Sequence, residues 1–218
     1  MSNVLYLHGF ASSPQSRKAV WFADCFQKSG VAFQAPGLEH GGFASLTISS
    51  MLDAVHRAAA VRQAAAGNKV TLIGSSLGAY LAALYAELHP SAVDRLILMA
   101  PAFGFASRWL AQLGPDAALA WKQSGALPFT HYATGEQTAI GYSLIGDASR
   151  YPAEPQPAHP ALVFHGLHDT VVPPSAARQW CAQSPANRRL LLYGDGHDLN
   201  ASLQPMWDET VRFLGLEP

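Results

Sequence analysis

The sequence predicts an α/β fold, a mostly parallel sheet of about six or more strands with helices on both faces. Three observations carry this. Short apolar runs alternate with longer segments of helical pattern along most of the 218 residues, and such alternation builds βαβ units. The runs stay apolar at successive positions, as strands covered on both faces do. Each ends near Gly, Pro or His, so the chain turns sharply at the carboxyl ends of the strands, where doubly wound sheets hold their ligands.

The first strand is read in "NVLYLHG", followed by a helix in "SPQSRKAVWFADCFQKSG", with Ser13 expected at the N-cap and Pro14 at the first helical position. A second strand, "VAFQAPG", leads to the alanine-rich helix "SMLDAVHRAAAVRQAAAGN". The β-branched run of "KVTLIGS" then passes directly into a helix rich in alanine and leucine that ends before Pro90. The fourth strand is "DRLILMAP". The fifth, "ALVFHG", precedes the helix "SAARQWCAQSP", and the sixth, "RLLLYG", precedes "LQPMWDETVRFLGL". One interval breaks the rhythm. From Ala102 to His159 the chain offers two short helical patterns, a hairpin around Gly135 and a Pro-rich return, and connections of that length are functional lids or inserted subdomains. Residues 1–218 therefore read as one domain, with 102–159 as a cap insertion.

Composition narrows the function classes. Apolar residues make up 49% of the chain and charged residues 13%, enough to bury one sizeable core. The net charge of -1 and the scattered Lys and Arg give no nucleic-acid footprint. The opening "MSNVLYLHGF" has no basic n-region and no cleavage-site pattern, and no segment holds the roughly 18 apolar residues of a membrane span. Cys25 and Cys181 lie outside any CxxC or Cys/His cluster and read as reduced, buried thiols. A soluble, cytoplasmic protein is expected; nothing in the chain specifies an oligomeric state.

The chemistry concentrates at "GSSLG". A nucleophile elbow needs small residues two positions either side of the serine so that strand and helix can pack closely. Centred on Ser76 those positions are Gly74 and Gly78; centred on Ser75 they are Ile73 and Leu77, which cannot serve. The register assigns the nucleophile to Ser76. A serine hydroxyl attacks at neutral pH only if a histidine takes its proton and a third group orients that histidine. The expected chain order is Ser, acid, His, each at the end of a later strand. Asp169 follows "ALVFHG" in the loop "LHDTVVPP", and His197 follows "RLLLYG" in the glycine-flanked "DGHDL".

Each residue alone has a plainer role as a turn cap or surface histidine, but three independent placements in order favour a triad. Asp195 and Asp198 flank His197 and are expected to shape its loop, since sequence neighbours seldom meet with triad geometry. Asp147 falls in the cap interval, outside any strand-end loop. "HGLHD", from His165 to Asp169, could suggest a metal, but no second His/Asp/Glu cluster completes a ligand set. Two backbone N–H groups are expected to form an oxyanion hole, from Leu77 after the serine and from Phe10 in "LYLHGFASSP". His8 is expected to fix that loop by a hydrogen bond.

Together "GSSLGAYLA", "YLHGFASSP", "HGLHDTVVP" and "GDGHDL" resemble the α/β-hydrolase superfamily, and the small size is similar to bacterial single-domain esterases of the YqiA kind. Where those relatives often carry a second glycine after the elbow, this chain has Ala79. The resemblance implies a serine carboxylesterase or thioesterase with Ser76, Asp169 and His197 as its triad, acting on a small-molecule acyl ester or thioester. No cofactor and no metal are implied. A ligand-binding protein that keeps the hydrolase shape with little or no turnover is the alternative, and an intact triad argues against it. A serine at position 76 argues against the aspartate-nucleophile dehalogenases and epoxide hydrolases.

Overall fold

The computed structural model describes residues 3–39, 41–130, 135 and 137–216. Along these the chain forms β1 (Asn3–Leu7), α1 (Arg17–Lys28), β2 (Ala32–Gln34), α2 (Ile48–Ala66), β3 (Val70–Ser75), α3 (Leu77–Leu88) and β4 (Val93–Met99). There follow α4 (Phe105–Leu113), α5 (Pro115–Ser124), β5 (Ala126–Thr130), β6 (Gln137–Gly141), α6 (Ser143–Ala148), β7 (Ala161–Gly166), α7 (Pro174–Ala182), β8 (Arg188–Tyr193) and α8 (Leu203–Leu214). The six apolar runs form one parallel sheet in the order β2-β1-β3-β4-β7-β8, while β5 and β6 pair as a separate antiparallel hairpin. From β1 the chain steps outward to β2, then returns to the far side of β1 as β3 and continues toward the opposite edge. Connections therefore diverge between β1 and β3, and a crevice opens at their carboxyl ends.

The sheet is buried on both sides, which is why its strands read as unbroken apolar runs. Tyr6, Ile73, Ile97 and Phe164 face Phe22 and Phe26 of α1 and Met206 of α8. Their neighbours Leu5, Leu72, Leu98 and Val163 face the other way, onto a core that includes Val55 of α2, Leu81 of α3 and Trp180 of α7. Helix α3 is buried from Leu77 to Ala86, and its alanines let sheet and helices close in around it.

Helix α1 begins later than the sequence suggested. Ser13 and Pro14 do not start it: the Ser16 N–H bonds the Ser13 carbonyl in a turn with Pro14 at its second position, and the Ser16 hydroxyl caps the helix by accepting from the Ala19 N–H. In the interval between β4 and β7, α4, α5 and the β5–β6 hairpin are followed by α6. Asp147 in α6 accepts from the backbone N–H and hydroxyl of Ser49 at 2.7 and 2.8 Å, which ties α6 to the start of α2. The Pro-rich return is pinned by the Trp180 indole, which donates to the Pro155 carbonyl at 2.7 Å, and by Arg188, whose guanidinium lies over the same indole and donates to Gln156 and Pro157. Among the described residues no helix is long and apolar enough to cross a membrane.

Candidate active site

Ser76 stands on the turn between β3 and α3 with φ 55° and ψ −117°, a conformation L-residues seldom adopt. It is one of four non-glycine residues with positive φ among those described, the others being Ala11, Ala100 and Leu199. All four lie just past the carboxyl ends of β1, β3, β4 and β8, so the strained backbone gathers at the same edge of the sheet as the crevice.

The glycines of the elbow have a steric cause. A Cβ on Gly74 would sit 2.3 Å from the Gly78 carbonyl oxygen and 2.5 Å from the Ala79 Cα. On Gly78 it would sit 2.0 Å from the Leu7 oxygen and 2.5 Å from that of His8. Strand β3, helix α3 and the end of β1 thus meet at backbone contact. Gly78→Ala should overpack this junction at a cost of about 1–3 kcal/mol or more. At about 2–4 °C per kcal/mol the melting temperature should fall visibly. Gly146→Ala, where no atom lies within 4 Å of the added carbon, should leave it unchanged or raise it; equal behaviour of the two variants in a melting series would refute the packing account.

The structure brings Ser76, His197 and Asp169 into one hydrogen-bonded relay. His197 Nε2 is 3.0 Å from Ser76 Oγ, and His197 Nδ1 is 2.7 Å from Asp169 Oδ2. With a carboxylate as partner, Nδ1 carries the proton, which leaves the Nε2 lone pair facing the serine hydroxyl. The arrangement can therefore draw a proton from Ser76 Oγ. Asp169 is buried, and burial by itself opposes ionisation. Hydrogen bonds from His165, His197 and the Val172 backbone N–H outweigh it and hold the carboxyl well below the usual carboxylate range.

Two segments carry His197 and Asp169 to the site, and a third glycine lets them approach. A Cβ on Gly166 would lie 2.3 Å from the Gly196 oxygen and 2.4 Å from that of Asp195, so the loop after β8 rests directly on the end of β7. Asp195 shapes that loop, accepting from the Ala201 N–H and the Ser202 hydroxyl at 2.9 Å each, and from the Gly196 N–H at 2.7 Å. Asp198 binds the Asn200 side chain, while its carbonyl accepts from Lys18 of α1. Neither carboxylate contacts His197; both are engaged within the loop.

Gly9 brings the loop after β1 alongside the elbow, its added Cβ falling 3.4 Å from Ser76 Cβ. Phe10 and Leu77 consequently line the same cavity as Ser76 and His197. Leu77 opens α3, where backbone N–H groups have no partner within the helix. His8 is buried and its Nδ1 lies 3.0 Å from the Gly9 carbonyl, to which it donates.

The cavity measures about 550 Å³. Phe105, Trp109 and Phe129, from the interval between β4 and β7, form part of its wall. Phe10 joins them, its ring 5.1 Å from Trp109 and 5.4 Å from Phe129 in edge-to-face contact. Phe103 and Trp121 are buried instead in the core, with Trp121 edge-on to Tyr142 at 5.4 Å, and Leu110 lines a separate cavity of about 210 Å³. Tyr132 lies outside the described residues. Sequence reasoning missed His165, Gly166 and Lys18 as builders of the site. Only His165 carried a local signal, the "HGLHD" spacing considered for a metal. Among the described residues no three His, Cys, Asp or Glu side chains converge as metal ligands.

Comparison with known proteins places this architecture. No match is found among curated proteins. Among solved structures, mouse alpha/beta hydrolase domain-containing protein 10 is similar at a TM-score of 0.79 and 20% identity, over 97% of this chain and 90% of that one. Est1E from Butyrivibrio proteoclasticus, solved with ferulic acid bound, is similar at a TM-score of 0.79 and 20% identity, over 98% of this chain and 88% of that one. At such identities the likeness shows a shared α/β-hydrolase fold. The family described as an uncharacterised protein family, UPF0227, matches residues 3–207, and with nearly the whole chain inside that match this protein belongs to UPF0227.

Proposed function

We propose that the protein is a serine hydrolase that cleaves carboxylic esters or thioesters of small to medium acyl groups through an acyl-enzyme intermediate. The observation that supports this most is the relay from Ser76 Oγ through His197 to a buried carboxylate, at an elbow whose backbone is already strained. In this reading Ser76 Oγ attacks the acyl carbon while its proton passes to His197 Nε2. The Phe10 and Leu77 N–H groups receive the developing oxyanion, one such donor being worth roughly 3–4 kcal/mol. Collapse breaks the bond to the alcohol or thiol, which leaves with the proton from His197. Water, deprotonated by the same imidazole, then attacks the acyl carbon and releases the acid and free Ser76. Asp169 holds the imidazole with its proton on Nδ1 throughout.

Residues 102–159 act here as a cap that supplies an apolar wall, Phe105, Trp109 and Phe129, for the acyl chain. Each methylene buried against that wall contributes about 0.8 kcal/mol, roughly fourfold in kcat/KM, until the space is filled. Across a series of acyl esters and thioesters, kcat/KM should therefore rise with chain length and then fall. Peptide amides should be poor substrates. The test is that series run on the purified protein beside Ser76→Ala. A flat profile, or peptides cleaved faster than esters, would show that the cap forms no acyl pocket, and turnover equal in the two proteins would remove the hydrolase reading itself.

A further inference from the structure

A histidine that the relay itself does not use lies directly behind it. His165, the last residue but one of β7, is 0% exposed, and its Nε2 is 2.9 Å from the Val172 carbonyl oxygen and 3.1 Å from Asp169 Oδ2. Both neighbours only accept, so Nε2 carries the proton and is shared between them. Its other nitrogen, Nδ1, is buried and has no hydrogen-bond partner among the described residues. Every flanking position in β7 holds an apolar residue or glycine, and an apolar side chain here would leave no unpaired nitrogen. What the imidazole adds is the Nε2–H.

We propose that His165 is a positioning residue that acts through Asp169, fixing the carboxylate in the plane and rotation that present Oδ2 to His197. The donors around Asp169 support this. Oδ1 accepts from the backbone N–H groups of Val171 and Val172 at 2.9 and 2.8 Å, and Oδ2 accepts from His197 and His165. Four donors fill the four lone-pair positions of a carboxylate, so the group has one orientation. Remove the His165 donor and Oδ2 is held only by the imidazole it is meant to orient. The bond to Val172 has a second effect, since it closes the turn after Asp169 back onto the strand from which that turn departs. The proposal rests on the triad reading of Ser76, His197 and Asp169.

Three substitutions separate this role from packing. Gln at position 165 places an amide N–H near the Nε2 site, Asn places it near Nδ1 and falls short, and Leu supplies no donor. In His165→Leu and His165→Asn, kcat for an acyl ester should fall about 10- to 100-fold, the range for losing a hydrogen bond to a charged group, with KM little changed. His165→Gln should keep most of the activity. In an Asp169→Ala background the same substitutions should cost nothing further, because the group they act through is gone. Melting curves identify any variant that does not fold; if Leu does not, the Gln and Asn pair decides. The low-field proton resonance of His197 Nδ1–H gives a readout that needs no turnover, and should persist in His165→Gln but shift or broaden in His165→Asn. If no ester is hydrolysed by the unaltered protein, the functional reading fails while this resonance still reports on His165. Gln and Asn variants alike in kcat and resonance, or a loss that persists in the Asp169→Ala background, would overturn the proposal.

Discussion

Ser76→Ala should abolish covalent labelling by a fluorophosphonate and lower ester hydrolysis by up to about a millionfold, the loss seen when the nucleophile of other serine hydrolases is removed. Ser75→Ala should leave labelling nearly intact. The two serines are adjacent but differ in what the backbone does with them. Ser75 ends β3, is 7% exposed, and its hydroxyl meets that of Tyr6, a phenol whose pKa burial pushes upward despite hydrogen bonds from Ser16 and Ser75. Ser76 takes the positive φ that turns its side chain out of the sheet toward His197 Nε2. Only the second hydroxyl has a base to receive its proton. Mass spectrometry of the labelled peptide, read with both variants, decides the matter. Labelling that survives in Ser76→Ala and disappears in Ser75→Ala would reverse the assignment.

The same pair of serines shows which parts of the molecule were legible in the sequence. Gly74 and Gly78 fix the register because their missing Cβ atoms are required by contacts within one strand-turn-helix unit, a distance local spacing can encode. The six strands were legible for a similar reason. Both faces are buried, so neighbouring residues such as Leu5 and Tyr6 are apolar together while packing into opposite cores. The hairpin around Gly135 was visible from its turn residue, and β5 and β6 do pair across it. Edges and starts were harder. Strand β2 keeps three residues of its apolar run, and the Ser13-Pro14 pair resembled a helix start although the cap that counts is Ser16. Least visible were contacts between distant segments. Nothing near Gly166 announces that a loop some thirty residues later will rest on it, and nothing near His165 says whether its second nitrogen finds a partner.

Asp169→Asn should preserve the fold and cut turnover steeply, by as much as ~10⁴-fold in the best-studied triad, whereas Asp195→Asn and Asp198→Asn should be far milder. The reason lies in the donors that surround the carboxylate. An asparagine has one acceptor oxygen and one donor nitrogen in place of two acceptors. Its oxygen must face the Val171 and Val172 N–H groups, because backbone amides cannot become acceptors. The amide nitrogen then points at the two imidazoles. His197 can meet it only by moving its proton from Nδ1 to Nε2, and an Nε2 that already holds a proton cannot take one from Ser76. Stability should report the same loss through its pH dependence. Because the folded-state pKa of Asp169 is depressed, its contribution is fully present above the unfolded value of about 3.9 and is lost as pH falls through the lower folded value. The part of the melting-temperature difference between the unaltered protein and Asp169→Asn that comes from the carboxylate's own titration should therefore close as pH falls below about 4. Asp195 and Asp198, which hold loop N–H, hydroxyl and amide groups and not the imidazole, have no tautomer to set. Should Asp195→Asn or Asp198→Asn lower kcat more than Asp169→Asn, the acid of the relay would have to be sought within the His197 loop itself.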